Sequence, residues 1–320
     1  MFKSIKSNKS SSFHVFNADR NIGMIKMNII EKIIWILLNL INNNLPPKSF
    51  KYRENYPNLS LKNFAKIIHD KEWNIISNNS TPSRILCDLF WIKQMWNDIK
   101  SEIGPINIFD TGCGDGNYGL KINAYASGIN SYTGIDTVEY RNWLNLKNQA
   151  FIKLIKFSSN NFMKKIPDNI NFFMTQSAIE HFDYDMEYFK VIKRYIEKNN
   201  SNVIQIHLFP APPSLWLYLH HGVRQYNMRS IQKIVKLFNN DKTYAVTFPL
   251  GGKESFLYHL KNITIPEYFL KSKNNLRKSK PEKYFLGAKQ SIIKDINKNS
   301  WNYASFCALV IHSNYKNKIF

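Results

Sequence analysis

A glycine-rich stretch that contains two carboxylates is the part of the sequence whose residue types most clearly indicate ligand binding. Gly114, Gly116 and Gly119 have the spacing of a dinucleotide-binding loop, and they follow a short apolar run as a strand-to-helix turn requires. Such glycines let the backbone approach a ligand closely and adopt positive φ angles. Asp110 and Asp115, however, would repel a pyrophosphate at the same turn. The stretch therefore favours a ligand with cationic groups over a dinucleotide.

S-adenosylmethionine carries both an ammonium and a sulfonium group, so it suits a turn with two carboxylates. The stretch from 108 to 119, Ile-Phe-Asp-Thr-Gly-Cys-Gly-Asp-Gly-Asn-Tyr-Gly, resembles motif I of the class I S-adenosylmethionine-dependent methyltransferase family. The resemblance implies cofactor contacts from six residues of this loop: Asp110, Gly112, Cys113, Gly114, Asp115 and Gly116.

Two further segments resemble the same family in order and spacing. The segment that ends at Asp136 is similar to the family's second strand, which implies that Asp136 accepts hydrogen bonds from the ribose hydroxyls, with Thr137 beside it. Residues 170–182 are similar to the fourth-strand segment that ends in Glu-His, and this adds Gln176 to the expected cofactor contacts. After the third strand, family members usually have an acidic residue that binds the adenine amine, and here Asn160 can form that hydrogen bond instead.

Within the last of these segments, Glu180 and His181 are the candidate catalytic residues. We predict His181 as the base, because an imidazole titrates near neutral pH, as a general base for a sugar or phenol hydroxyl should. The alternative is that the pair caps or orients the following helix. Quinone-type O-methyltransferases hold a metal with an upstream acidic residue, but Ser177 stands there, so we predict no metal. The sequence also lacks the Asn/Asp-Pro-Pro-aromatic and Pro-Cys segments of methyltransferases that act on nucleic-acid bases.

An aromatic and basic segment after the fifth predicted strand is the candidate acceptor site, because ligands of doubly wound sheets bind outside the carboxyl ends of the strands. Aromatic rings suit stacking on a sugar, whereas histidine and arginine suit phosphate or carboxylate groups. Ordinary packing of the aromatic rings is the alternative, and the His-His pair alone does not define a metal site. The candidate acceptor residues are His207, Trp216, His220, His221, Arg224 and Tyr226.

Alternating strand and helix patterns from residue 106 onward must position these residues. Apolar runs predict strands at 106–110, 132–136, 152–157, 171–175, 203–208, 244–248 and 304–312, with a helix over 117–127. Strands that alternate with helices form a doubly wound parallel sheet. The predicted fold class is therefore α/β, and the family resemblance implies a Rossmann-like sheet of seven strands, mostly parallel, whose last strand is antiparallel.

The chain divides into three predicted regions, the second of which has a clear helix start. There, Ser80 or Thr81 can N-cap a helix that has Pro82 in its first turn. The last insertion in the third region is rich in lysine and reads as either a solvated loop or an anion site. The regions are a flexible basic tail (1–20), a helical N-terminal extension or cap (21–100), and a Rossmann-like methyltransferase domain (101–320) with inserted segments around 209–240 and 250–302.

Composition and charge limit the classes of partner and compartment. Lys and Arg outnumber Asp and Glu by 44 to 23, which gives a formal charge of +21. This charge favours anionic partners, although a chain rich in Lys, Asn and Ile also gains it from base composition alone. Three separated cysteines and the lack of a signal-peptide pattern predict a cytoplasmic location without disulfides. Residues 29–41 are apolar but too short to span a bilayer, so they predict a buried or partner-facing helix, or peripheral membrane contact.

The function that these features predict is methyl transfer from S-adenosylmethionine to an oxygen of a small-molecule or saccharide acceptor, with bacterial surface-polysaccharide biosynthesis as one setting. An RNA methyltransferase is the first alternative, and the net charge of +21 favours it. A non-catalytic methyltransferase-like binding protein is the second. The loop predicts the methyl donor, whereas the acceptor remains open.

Overall fold

The computed structural model describes residues 11–13, 28–46, 59–64, 67–157, 165–218, 224–270, 275–296, 298 and 300–320. Within these ranges, eight strands form one sheet in the order β1-β7-β8-β6-β5-β2-β3-β4, and β8 runs antiparallel to its neighbours. The strands are β1 (Leu59–Leu61), β2 (Asn107–Thr111), β3 (Ser131–Asp136), β4 (Ile152–Lys156), β5 (Phe172–Gln176), β6 (Val203–Pro210), β7 (Thr243–Leu250) and β8 (Phe306–Ser313).

Strands β2 to β8 confirm the predicted α/β sheet, including its antiparallel last strand. Their bounds differ from the predicted bounds by a few residues. Strand β1 was not predicted, because three residues are too few to show a period along the chain. It lies in the region for which the sequence predicts only helices, and it pairs in parallel with β7, where Leu59 stands opposite Ala245. The sheet thus has one short strand more than the family pattern.

Helices cover both faces of the sheet. A 3₁₀ turn, Ile179–His181, follows β5, and a π-helix, Leu260–Phe269, continues α10. The helices are α1 (Ile29–Asn44), α2 (Asp70–Trp73), α3 (Pro82–Ile92), α4 (Trp96–Ile103), α5 (Asn117–Tyr125), α6 (Trp143–Leu146), α7 (Asp185–Asn199), α8 (Ser214–Leu217), α9 (Met228–Val235), α10 (Lys253–His259), α11 (Leu276–Ser279) and α12 (Pro281–Asp295).

Alternate side chains of the central strands pack into two separate cores. On β2, Ile108 belongs to the core under α3, whereas Phe109 belongs to the core under α7. The neighbouring strand β5 divides Phe172 and Phe173 in the same way. Since both faces are buried, these strands read as continuous apolar runs, as parallel strands of doubly wound sheets do. The carboxyl ends of β2 and β5 are thereby held side by side.

The start of α3 confirms the predicted cap. The Thr81 side chain accepts a hydrogen bond from the backbone N–H of Arg84, and Pro82 occupies the first helical position. By contrast, the lysine-rich insertion is largely helical and not a solvated loop. Tyr284 and Ala288 of α12 are buried with helical spacing, so apolar residues fix this helix while its lysines face outward.

Residues 11 to 13 fall in the predicted flexible tail, yet all three are buried. Asp185, in the first turn of α7, accepts hydrogen bonds from both the backbone N–H, at 2.8 Å, and the hydroxyl of Ser12. The Phe13 ring packs edge-on against Tyr226, with 5.8 Å between ring centroids. A buried carboxylate and an aromatic contact therefore fix this short segment in place, which the polar composition around it does not indicate.

At the amino ends of the strands, Glu102 of α4 anchors the C-terminal residues. Its carboxylate accepts the backbone N–H groups of Lys316 and Asn317, at 2.5 and 3.1 Å, and the side-chain amide of Asn202, at 2.8 Å. Burial alone would raise the pKa of Glu102, but these hydrogen bonds outweigh it and hold the pKa at about 2. The ionised form is therefore the one that stabilises the fold.

Replacing Glu102 with Gln should lower the free energy of unfolding at pH 7 by about 2 kcal/mol, because the variant loses charge-assisted hydrogen bonds. A lowered pKa gives stability that is present above the ordinary value of 4.5 and is lost as the pH falls through about 2. Urea unfolding between pH 7 and pH 3 should show that the difference in unfolding free energy between the variant and the wild type decreases as the pH falls. Glu197→Gln, at an exposed position of α7, is the control. A difference in unfolding free energy that stays constant with pH would show that the ionised Glu102 carboxylate is not the source of this stability.

Candidate functional site

The candidate site lies at the carboxyl ends of β2 and β5, where the strand order reverses. From β2 the chain proceeds outward to β3 and β4, and it then returns to β5 on the other side of β2. Ligands of doubly wound sheets bind in the crevice at this switch point. The turn between β2 and α5, residues 112–116, is the glycine-rich loop of the sequence. The loop thus occupies the position at which this fold binds ligands.

Two loop glycines have different roles, which the sequence pattern does not separate. Gly112 has φ 77°, and a Cβ there would lie 2.5 Å from the Cβ of Ala178, so this glycine lets the loop pack against the turn after β5. Gly114 has φ 55°, and a Cβ there would meet no described heavy atom within 4 Å. The backbone at Gly114 therefore faces open space that a ligand can fill, whereas Gly112 serves packing.

Asp110 lies buried beneath this loop. The Tyr132 hydroxyl donates a hydrogen bond of 2.5 Å to Oδ2 of Asp110, whereas Oδ1 is buried without a hydrogen-bond partner among the described residues. Burial raises the pKa of Asp110 to about 7; the Tyr132 hydrogen bond lowers it, and the nearby charge of Asp136 raises it further. A cation bound at the loop would favour the ionised form and would supply the missing partner.

The other two acidic residues of the site are held by short-range hydrogen bonds. Asp136, at the end of β3, accepts the backbone N–H of Gly114 at 2.9 Å, and the exposed Thr137 hydroxyl lies 3.5 Å from its other oxygen. Asp115 is exposed and accepts both the backbone N–H and the side-chain amide of Asn117. Asp136 therefore joins the loop to β3, whereas Asp115 is bonded to Asn117, the first residue of α5.

Helix α6 supports the loop in a way that sequence reasoning missed. The indole N–H of Trp143 donates to the carbonyl of Gly114 at 2.8 Å, and the Asn142 side chain donates to the carbonyl of Asp115 at 3.0 Å. Cys113 is buried against Gly134 of β3, whose lack of a side chain leaves room for its sulfur. No motif marks Trp143 in the sequence, since its role depends only on where the short helix packs.

Gln176, the last residue of β5, is bonded to the helical cap. Its Oε1 accepts the indole N–H of Trp91 at 2.7 Å, and its Nε2 donates to the Ser177 hydroxyl at 3.1 Å. Ser177 has φ 52°, a left-handed conformation that is costly for a residue with a side chain and is concentrated at functional sites. The predicted cofactor residue Gln176 therefore also fixes α3 over the site.

Helix α3 directs a polar cluster at the site, which the sequence analysis missed. Arg84 donates to the Tyr118 hydroxyl at 3.2 Å, and that hydroxyl donates to Asp88 at 2.7 Å. Arg84, Asp88 and Trp91 are spaced as one face of a helix. This spacing within an otherwise apolar helix is the signal that could have identified the cluster.

The two candidate catalytic residues face different environments. Glu180 is buried, and its Oε2 has no hydrogen-bond partner in the described part of the chain. Burial raises the pKa of Glu180 to about 8, although a backbone hydrogen bond and the charges of Arg84 and Arg224 lower it in part. His181, the next residue along the 3₁₀ turn, is exposed. The geometry thus favours Glu180 over His181 as the group that exchanges a proton inside the site.

Arg224 and Tyr226, two of the candidate acceptor residues, are bonded to the 3₁₀ turn that contains Glu180. Arg224 is buried and donates from Nε to the Glu180 carbonyl at 2.9 Å, and its Nη1 is unpartnered within the described ranges. The Phe13 ring lies 5.6 Å from the guanidinium carbon. The Tyr226 hydroxyl donates a hydrogen bond of 3.0 Å to the Asp185 carboxylate, which also binds Ser12. Tyr226 therefore supports the buried residues 11–13.

The remaining candidate acceptor residues lie in different environments. His207 lies inside the sheet, where its Nδ1 is 3.1 Å from the Thr175 hydroxyl and its ring packs edge-on against Phe189. Burial lowers the pKa of His207 to about 3, so the ring is neutral core. The expectation that it walls the acceptor site is therefore wrong, because both faces of β6 are covered and His207 lies inside the strand and not at its carboxyl end. Trp216 is partly exposed on α8. Three predicted residues lie outside the described ranges: Asn160, His220 and His221.

Among the described residues, no group of three or more His, Cys, Asp or Glu side chains is arranged to hold a metal ion. The three cysteines are buried and form no disulfide. The polar atoms that face the switch point are therefore carboxylate, guanidinium, amide and hydroxyl groups.

No protein-family model and no curated protein matches the sequence. Solved structures do resemble the chain. The plantazolicin methyltransferase BamL, in complex with a triazolic desmethylPZN analogue and SAH, is 12% identical over 72% of this chain and 86% of its own, with a TM-score of 0.47. An S-adenosylmethionine-dependent methyltransferase from Archaeoglobus fulgidus is 15% identical over 71% and 94%, with a TM-score of 0.41. A putative sarcosine dimethylglycine methyltransferase from Galdieria sulphuraria is 10% identical over 71% and 86%, with a TM-score of 0.44.

Proposed function

We propose that the chain is an S-adenosylmethionine-dependent methyltransferase. The observation that carries this proposal is the buried carboxylate of Asp110, one oxygen of which lacks a partner in the described structure, below a loop that is open at Gly114. A buried carboxylate oxygen without a partner is costly, and a cationic ligand at the loop would relieve that cost. The strand order and the position of the loop at the switch point support the same assignment.

The residues present fit this cofactor. Asp110 would hold its ammonium group, the loop backbone around Gly114 would lie against the methionine part, and Asp136 would accept hydrogen bonds from the ribose hydroxyls. Asp136 has the geometry for this role, since it lies at the end of β3 beside the loop and is only partly buried. Trp143 and Trp91 act as supports that hold the loop and Gln176 in place.

The proposed acceptor is a small molecule or saccharide that is methylated on oxygen. Bound S-adenosylmethionine supplies an electrophilic methyl group on sulfur. The protein then has to align the acceptor oxygen and accept its proton. Glu180 can accept that proton, because a pKa of about 8 lies close to working pH. Arg224 can bind an anionic group of the acceptor through its Nη1. Surface-polysaccharide assembly remains one setting for such a reaction.

One observation favours RNA as the acceptor instead, namely the formal charge of +21. RNA binding through phosphates weakens steeply as salt rises, and the slope reports the number of phosphates neutralised. A filter-binding titration of a mixed RNA pool at several salt concentrations would therefore distinguish the two acceptor classes. Methyl transfer to RNA together with a steep slope would replace the small-molecule assignment.

Gly114→Ala should weaken binding of S-adenosylhomocysteine at least about tenfold, because its Cβ would enter the space assigned to the cofactor. Isothermal titration calorimetry with the wild type and the variant measures this. Gly128→Ala is a matched control, since Gly128 also has positive φ and a Cβ there also meets no described atom within 4 Å. It should retain wild-type affinity. A wild type that fails to bind would overturn the proposed function, and equal affinity in all three proteins would show that the cofactor does not bind at Gly114.

A further inference from the structure

Helix α1 exposes an apolar face along its whole length. The helix begins at a capping box between Asn28 and Glu31 and spans 16 residues. Its outward side chains recur every three or four positions and are 42% to 75% exposed. They are Ile29, Ile30, Ile33, Ile34, Leu37 and Ile41. Surface helices of soluble proteins usually turn such a face inward, so this helix has the opposite orientation.

The opposite face of α1 is fixed by an aromatic anchor and by amides. Trp35 is buried against Leu215 of α8. Asn43 donates to the Gln225 side chain at 3.0 Å, and the Asn227 side chain donates to the carbonyl of Asn42. These contacts hold the helix in one rotation about its axis. The apolar face is therefore turned outward by specific contacts, and the segment that it packs on also contains Arg224 of the proposed acceptor side.

Charge indicates what this face meets. The helix itself carries one acidic and one basic residue, whereas the sequence on either side of it, 1–28 and 45–58, contains eight basic residues and two acidic ones. An amphipathic helix with basic flanks binds anionic lipid surfaces, because apolar burial and electrostatic attraction act together. No helix within the described ranges is long and apolar enough to cross a membrane. A helix that lies in the plane of the lipid surface fits all of these observations.

We infer that α1 docks on an anionic lipid bilayer with its isoleucine face among the acyl chains, and that the basic residues on either side of it in the sequence add electrostatic attraction to the headgroups. This docking places Leu215, Gln225 and Asn227, which contact the opposite face of α1, one helix diameter behind the lipid surface. The acceptor class that follows is an amphiphile resident in the membrane, with an anionic group near Arg224 and a hydroxyl near Glu180. The statement about the acceptor rests on the proposed function, whereas the docking does not.

Vesicle co-sedimentation of the full chain tests the docking. Wild type should sediment with vesicles of equal parts phosphatidylcholine and phosphatidylglycerol and far less with phosphatidylcholine alone, and added salt should weaken binding. The double variant Ile33→Asn/Leu37→Asn should reduce the bound fraction about fivefold or more. Leu286→Asn/Ile293→Asn is the matched control, since these α12 side chains are 55% and 49% exposed, close to the 53% and 54% of the tested pair. The control should bind as wild type does.

Three outcomes would overturn the docking: no binding to anionic vesicles, equal binding of the two double variants, or equal binding to neutral vesicles. Light scattering identifies a competing occupant, because a wild-type dimer that Ile33→Asn/Leu37→Asn dissociates would show that a second copy covers the face. Calorimetry with S-adenosylhomocysteine on the same preparations separates the two proposals. Cofactor binding without vesicle binding removes the docking alone, and vesicle binding without cofactor binding removes the proposed function alone.

Discussion

Asp110→Asn is expected to weaken S-adenosylhomocysteine binding by about 30-fold, because a charge-assisted hydrogen bond contributes about 2 kcal/mol. The affinity of the wild type should also rise with pH through about 7. The reason is that Asp110 has a raised pKa in the free protein, and the ammonium group of the ligand favours the carboxylate. The affinity of the variant should be nearly independent of pH between 5.5 and 8. Calorimetry across this range measures both effects.

The same substitution should stabilise the protein without ligand. A carboxyl group whose pKa is raised by burial contributes stability that is present below its ordinary value of 3.8 and is lost as the pH rises through about 7. At pH 8 the wild type therefore retains a buried charge that Asn lacks. We expect Asp110→Asn to raise the free energy of unfolding at pH 8 on the order of 2 kcal/mol, and the gain should shrink toward pH 4.

Opposite changes in stability and affinity distinguish loss of a ligand contact from misfolding. Asp168→Asn is the control, since the Asp168 side chain is 90% exposed, and it should change neither quantity. If Asp110→Asn leaves the affinity and its pH dependence unchanged, the cofactor does not bind at this carboxylate. If it weakens binding and also destabilises the free protein, the substitution acts on the fold.

Glu180→Gln is expected to lower the rate of methyl transfer about 100-fold, as loss of a general base does. The assay follows label from radioactive S-adenosylmethionine into whichever acceptor fraction the wild type labels. The wild-type rate should rise with pH through about 8, because burial raises the pKa of Glu180 to that value, and the variant should lack this rise. Gln is close in shape to the protonated carboxyl, so the fold and the affinity for S-adenosylhomocysteine should be retained.

His181→Asn tests the other candidate base. His181 is exposed, so its replacement should change the rate less than about threefold. A 100-fold loss in His181→Asn together with normal transfer in Glu180→Gln would reverse the assignment. Equal, small effects in both variants would mean that positioning alone drives the transfer and that the acceptor oxygen loses its proton elsewhere.

The sequence predicted most of the fold, because the strands of a doubly wound sheet are buried on both faces and read as apolar runs. The spacing of Gly114, Gly116 and Gly119 also predicted a strand-to-helix turn, and this turn lies at the switch point of the sheet. The environment of individual side chains was harder to predict from the sequence. His207 lies in a strand that was predicted correctly, yet it belongs to the core because both faces of that strand are covered. Glu180 and His181 are neighbours in sequence, and only the 3₁₀ turn determines which of them is buried.

Contacts between distant parts of the chain were beyond prediction for another reason. Arg84 lies in the helical cap and Arg224 follows the fifth strand of the domain, and nothing local to either residue indicates that both charges act on Glu180. The pairing of β1 with β7 is likewise fixed by the sheet edge and not by its three residues. The local sequence pattern predicts helices and strands well, whereas the choice of which faces pack against each other depends on the tertiary structure.

The buried position of residues 11–13 affects the order in which the protein folds during its synthesis. Ser12 leaves the ribosome early, but Asp185, which holds it, lies 173 residues later, and Ser230, which donates to its carbonyl, lies 218 residues later. Contacts of such long sequence separation form slowly and late, because the chain must first close a large loop. Residues 11–13 therefore reach their final position only after most of the sheet exists.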